Sequence, residues 1–195
     1  MPHLLAADLA ATDSPGLRRL TCSACWYLIS RGEARTCHDL ASGLRQRWRA
    51  RLGDDHEHVL MITRSLGRAL RAMGRDAEAR DLHRDTLNRH RRILGDDHLE
   101  TLLTANNLAA DLRGLGDVRA ARYLAQDTLV RLRRVLGPDH PETLFSAHGL
   151  ASSLRATGEL EAARNLDQDT LARRRRVLGD DHPNALTSAS NPNFP

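Results

Sequence analysis

A five-residue signature recurs four times at one fixed interval, and that interval decides what the chain can fold into. Leu52-Gly53-Asp54-Asp55-His56 is followed by Leu94-Gly95-Asp96-Asp97-His98, Leu136-Gly137-Pro138-Asp139-His140 and Leu178-Gly179-Asp180-Asp181-His182, each 42 residues after the last. A second series of glycines (Gly32, Gly74, Gly116, Gly158) and a third of small residues (Cys37, Ala79, Ala121, Ala163) keep the same step. Self-similarity at a constant period of about 20–50 residues marks a solenoid, in which each unit buries its apolar side against its neighbours. The 195 residues are therefore counted in repeats.

Within one repeat the pattern is that of a helix hairpin. The first helix carries apolar pairs at i/i+4 (Leu66 and Leu70, Leu108 and Leu112, Leu150 and Leu154), and a glycine able to take a left-handed conformation closes it. The second helix carries Leu82 and Leu87, Leu124 and Leu129, or Leu166 and Leu171, and ends at the next Leu-Gly. Asp55, Asp97 and Asp139 are read as the N-caps of the first helices, with Glu100 and Glu142 completing capping-box-like patterns. Small residues stand where the helices touch: Cys25, Gly67, Ala109 and Ala151 in first helices, Cys37, Ala79, Ala121 and Ala163 in second ones. They let the backbones approach to the short end of the ~8–10 Å helix spacing. Aromatics make up only 3% of the chain, so packing falls to Leu, Val and Ala.

The expected organisation is a tail or frayed helix over 1–13 and an array over 14–188. The array holds a diverged hairpin over 14–52, full repeats at 53–94, 95–136 and 137–178, and a truncated copy at 179–188, with a tail over 189–195. Ser14-Pro15 reads as a cap followed by proline at the first helical position. At the far end Pro192 falls in the register of Leu108 and Leu150, inside what would be a helix, so a fifth hairpin cannot form. That end is expected to be frayed or covered by a second copy, giving a homodimer.

Asn106-Asn107-Leu108-Ala109, Gly116, Ala121, Leu136-Gly137 and Asp139-His140-Pro141, all in register, resemble the 42-residue tetratricopeptide repeat of kinesin light chains and of related bacterial signalling proteins. The resemblance covers roughly residues 16–190. It implies an all-α, right-handed superhelical solenoid of antiparallel helix hairpins that binds peptides or partner proteins and catalyses nothing. In that geometry the first helices line a concave groove through Met61, Arg64, Arg68 and Arg71, then Leu103, Asn106, Asn107, Ala110 and Arg113, then Phe145, His148, Ser152 and Arg155. Asn can bond a peptide backbone through both ends of its amide, and Arg can grip a carboxylate with two bonds. Arg71, Arg113 and Arg155 recur at 42 residues as a ladder. Ser65 and Gly149 replace Asn107 in the adjoining repeats.

Other constellations read differently. Cys22, Cys25, Cys37 and His38 offer four soft ligands, yet Cys25 and Cys37 stand at small-residue packing positions, so packing is expected and no metal or cofactor. The four loop histidines are expected to pack between repeats, because copies 42 residues apart cannot share one pocket. Every one of the 29 basic residues is Arg, and the runs at Arg89–Arg92, Arg131–Arg134 and Arg173–Arg176 end second helices, opposite Asp85, Asp127 and Asp169 at i+4 spacing. Nucleic-acid binding needs such charge unopposed, with stacking aromatics for single strands, which makes it the third-ranked function. The second is a regulatory or oligomerisation array packed on a nucleotide-binding switch domain or on another copy. No P-loop, dinucleotide fingerprint, nucleophile elbow or HExxH motif occurs. No small-molecule substrate, no enzyme activity, no membrane span and a cytoplasmic location are expected.

Overall fold

The computed structural model describes residues 14–178, which form eight α-helices. In chain order these are α1 (Pro15–Ser30), α2 (Ala34–Leu52), α3 (Glu57–Ala72), α4 (Asp76–Leu94), α5 (Leu99–Gly114), α6 (Val118–Leu136), α7 (Pro141–Ala156) and α8 (Leu160–Leu178). Helices of 16 and 19 residues alternate. The expected all-α repeat fold is what the chain adopts. The expectations for residues 1–13 and 179–195, including the truncated copy and the dimer through it, lie outside the described residues.

Packing divides into two units at Leu82/His83, inside α4. In the first unit, Cys25 of α1 and Cys37, Ala41, Leu44 and Trp48 of α2 pack with Val59, Ile62, Leu66 and Leu70 of α3. Trp48 is the one buried aromatic side chain among the described residues. In the second unit Leu87 packs with Ala105, Leu108, Leu112 and Ala121, and Ala125 and Leu129 of α6 pack with Ala147, Leu150 and Leu154 of α7. The small residues at the helix contacts are buried as expected, Cys25, Cys37, Ala79 and Ala121 completely.

Buried polar groups are mostly Thr and Ser that satisfy themselves. Thr104 donates to the Glu100 carbonyl at 2.8 Å, Thr128 to that of Leu124 and Thr170 to that of Leu166, both at 2.7 Å. Back-bonding of this kind lets a small polar side chain occupy an interior position without an orphaned donor.

Helix ends follow the glycine expectation and correct the aspartate one. After α5, Gly116 takes φ +82°, and the Asp117 amide reaches back to the Leu112 carbonyl at 2.9 Å, a closure favoured by glycine there. The first helices, however, are capped by His56, His98 and His140, one residue beyond the aspartates. Nδ1 of each accepts the amide of His58, Glu100 or Glu142 at 3.2 Å. The imidazole displaces the aspartate because Nδ1 reaches an amide only two residues on. Asp97 and Asp139 turn outward to arginines instead. Of the histidines expected to pack between repeats, His98 is exposed and is corrected, His56 and His140 are partly buried, and His182 lies outside the described residues.

His58, at the start of α3, is buried with neither ring nitrogen hydrogen-bonded. It meets Trp48 edge-on at 6.3 Å and stacks on His56 at 5.3 Å. Burial holds its imidazole below the ordinary histidine range; Glu57 opposes this and His56, Arg18 and Arg19 add to it. The unfolded chain therefore takes up this proton first. Stability from neutral His58 is complete above about pH 6.5 and is lost as pH falls toward the folded value, at up to about 1.4 kcal/mol per pH unit. His58→Phe keeps a ring against Trp48 and should lose this part of the acid slope in urea titrations between about pH 7 and 5. A second expectation concerns the helix contacts: Ala121→Leu overpacks the α5–α6 hairpin and should cost about 1–3 kcal/mol. Cys25→Ala copies the residue used in two other repeats, so its urea midpoint should move little.

Candidate protein-interaction surface

Helical spacing puts the groove candidates on one side of each first helix, and their exposure is graded accordingly. On α3, in the first unit, Met61, Arg64, Arg68 and Arg71 are all partly exposed, while Ile62, Leu66 and Leu70 between them are buried. In the second unit α5 presents Leu103, Asn106, Asn107, Ala110 and Arg113, all partly exposed. Beside it α7 presents His148, Ser152 and Arg155, partly exposed, and Phe145, whose side chain stands out into solvent. The α5 and α7 sets are joined directly, because Ser146 donates to Asn106 Oδ1 at 2.9 Å.

Several of these polar groups are already engaged. Asn107 Nδ2 donates to the Leu103 carbonyl at 3.1 Å. Arg155 is paired with Asp167 of α8 and donates to Ser152 Oγ at 3.1 Å, and Ser152 in turn donates to the His148 carbonyl. His148 Nδ1 lies 3.8 Å from the same carboxylate. Burial works against ionising Asp167, but His148 and Arg155 outweigh it and hold the carboxyl below its usual range. By contrast Asn106 Nδ2 is enclosed and has no hydrogen-bond partner among the described residues.

Two buried pairs under this surface escaped the sequence reading. His83 Nδ1 of α4 meets Asp111 Oδ2 of α5 at 2.5 Å, both side chains being fully enclosed. His90 Nδ1 meets Thr104 Oγ1 at 3.0 Å. The Thr104 hydroxyl already spends its hydrogen on the Glu100 carbonyl, so His90 is set to donate. The partners stand 28 and 14 residues apart, and the 42-residue register offers Ala125 and Ser153 in place of the first pair. Only a signal from paired helix faces could have joined them.

The cysteines sit in the α1–α2–α3 core, and all three are free thiols. The Cys25 thiol, donating to Cys37 in a buried setting, is pushed up. Among the described residues no group of three or more His, Cys, Asp or Glu is placed to hold a metal ion, and no helix is long and apolar enough to cross a membrane. The arginine runs are opposed by acids. Arg131 bonds Asp127 at 2.8 Å and Asp97 at 3.1 Å, and Arg134 reaches Asp97 at 2.6 Å. Arg173 bonds Asp169 and Asp139, and Arg176 also bonds Asp139. The Arg173 hydrogen bond, with Arg176 beside it, keeps the Asp139 carboxyl low. Charge opposed in this way does not form the continuous cationic track that phosphate binding uses.

Alternating helices of 16 and 19 residues at a 42-residue period define a helical repeat protein, and comparison with known proteins names the kind. Sequence profiles of the tetratricopeptide repeat match residues 60–130 and 143–184. The chain belongs to the tetratricopeptide repeat family, whose repeats mediate protein–protein interaction and are typically non-enzymatic. Its fold is similar to the nearly identical TPR-like repeats of a Podosopora anserina protein assigned as a kinesin light chain. That likeness has a TM-score of 0.72 and 24% identity over 90% of this chain and 83% of that one. A variant form of those repeats matches with a TM-score of 0.71 and 24% identity over 87% and 80% of the two chains. BtubC (BKLC) from P. vanneervenii matches with a TM-score of 0.66 and 17% identity, over 78% of this chain and 60% of that one. No curated protein matches the sequence.

The His83–Asp111 pair gives this region a measurable signature. Asp111→Ser installs the residue of the next repeat and leaves a buried imidazole without its carboxylate, which should cost about 1–3 kcal/mol. In a cycle with His83→Ala the two changes should couple by about 0.5–3 kcal/mol in urea denaturation. Simple additivity would mean the pair is not formed.

Proposed function

We propose that the face formed by α5 and α7 binds an extended peptide segment of a partner protein. The observation that carries this reading is Asn106. Its Oδ1 is fixed by Ser146, while its Nδ2 is left without an acceptor, a state that costs free energy in the free protein. Nδ2 is enclosed in the free protein, so the partly exposed Asn106 side chain turns outward on binding to give it a peptide carbonyl as acceptor. Leu103 and the exposed Phe145 add apolar surface for a side chain, and Asn107 lies one residue from Asn106. The polar contact positions the main chain and the apolar contacts supply most of the affinity. Arg155, tied to Asp167, acts as part of the support and not as the grip on a ligand carboxylate.

The test uses peptides selected from a random display library against the full chain. Asn106→Ala and Phe145→Ala should each weaken the selected peptides by about tenfold or more, the loss expected of a central contact. Asn106→Ala removes an unsatisfied donor but also the acceptor of the buried Ser146 hydroxyl, so it should cost no more than about 1–3 kcal/mol and leave the helical circular dichroism signal intact. Binders indifferent to both substitutions, and to Asn107→Ala with Arg113→Ala, would overturn the assignment of this face.

A further inference from the structure

The outer face of α1 is built unlike any other in the array. Leu20 is 66% exposed and Tyr27 55%, with Trp26 beside them at 57%. In register, Leu20 corresponds to Ile62, Thr104 and Ser146, which are 0%, 0% and 1% exposed. Tyr27 corresponds to Ala69, Asp111 and Ser153, all at 0%. In the later hairpins these are stacking positions; in α1 they carry large apolar side chains facing water. Within α1 the three residues share one side of the helix with Gly16, Ser23 and Ser30, a face of about 120°. The charge is predominantly positive: Arg19 is exposed and Arg18 buried, and the one acidic side chain near Arg31 among the described residues is Glu33 at 3.7 Å. α1 contains Arg18 and Arg19 and no acidic residue, and Arg31 lies over the Tyr27 ring at 5.9 Å.

A second copy of the chain does not fit this face. A second copy stacked end to end would offer Asp167, Thr170 and Arg174 of α8 in the register of Ala41, Leu44 and Trp48. Asp167 is already paired with Arg155, and Arg174 donates to the Leu144 carbonyl. Two copies meeting through α1 would bring like-charged arginines together. Moreover, Tyr27 stands where every later repeat has a small residue, so a helix at the usual close spacing would clash with its ring.

We infer that this face of α1 docks an acidic amphipathic helix of a partner protein, whose apolar seam alternates large and small residues and is flanked by Asp or Glu. Small seam residues make room for Tyr27 and Trp26, large ones cover Leu20, and the flanking carboxylates face Arg19 and Arg31. Two adjacent exposed aromatics with arginines at the margin are the composition of a binding hot spot. The surface is separate from the α5–α7 face and does not depend on it.

The probe is a helical peptide of about 19 residues without Trp, long enough to run the length of α1, its seam alternating Leu and Ala and its flanks Glu. A twin with Lys flanks serves as control. Trp48 is already buried, so a blue shift in tryptophan emission on titration reports Trp26, and Trp26→Phe should abolish it. The Glu peptide should bind the full chain saturably and the Lys twin about tenfold more weakly or worse. Leu20→Asp and Tyr27→Ala should each cost about tenfold in affinity with an unchanged helical circular dichroism signal, while Asn106→Ala should leave this binding intact. The inference is overturned if no saturable shift occurs or if the two peptides bind alike. It is also overturned if the shift appears with protein concentration alone alongside a doubled mass in light scattering, which would assign the face to a second copy. A shift only with phosphatidylserine vesicles would assign it to a membrane surface and equally overturn it.

Discussion

A hairpin of two short helices cannot bury both of its sides, and the whole chain follows from that shortfall. Leu129 and Ala125 of α6 are covered only because α7 brings Ala147, Leu150 and Leu154 against them. In the same way Leu44 and Trp48 of α2 depend on α3. Each hairpin is therefore half of an interface, and stability passes from neighbour to neighbour without a central core. Close approach is what makes the exchange worthwhile. Fully enclosed Cys37, Ala79 and Ala121 keep the paired helices near enough for aliphatic side chains to fill most of the space, Trp48 being the one buried Phe, Trp or Tyr among the described residues.

The same economy explains the charged periphery. The aspartates before α5 and α7 leave the helix amides to histidine caps and instead clamp the arginines that end α6 and α8. One residue type at one recurring position thus ties the entry of a hairpin to its exit. The arginines also lie at the negative end of their helix dipoles, so each contact serves two favourable interactions of modest size. What results is a surface rich in charge whose charges largely answer one another.

Period, helix count, glycine closures and small-residue contacts were legible because each is a local or register property, repeated often enough to stand out. The caps were misread because aspartate and histidine are adjacent and both can accept an amide, and the choice depends on reach across two residues of backbone. Arg64, Arg68, Asn106, Asn107, His148 and Ser152 all emerge partly exposed beside buried neighbours, which helical spacing by itself makes legible. Their engagements were not legible. His83 meets Asp111 and Arg155 meets Asp167 across helices, and no periodicity within one helix encodes a partner on the next. His58, in the register of Glu100 and Glu142, is buried by Trp48, which has no counterpart in the later repeats.

Repetition also conceals where the repeats have come to differ. Arg71, Arg113 and Arg155 look like three rungs of one ladder, yet Arg155 takes its character from the second helix that follows it. The carboxylate that holds Arg155 is Asp167; the position in its register is Ala125 in α6 and His83 in α4. Arg155 therefore stands in a ready-made ion pair, with Ser152 and His148 drawn into the same network. Side chains fixed by such bonds have little rotamer freedom left to lose in any further contact. The backbone repeat supplies the frame, and the unrepeated residues of the second helices distinguish one part of that frame from the next.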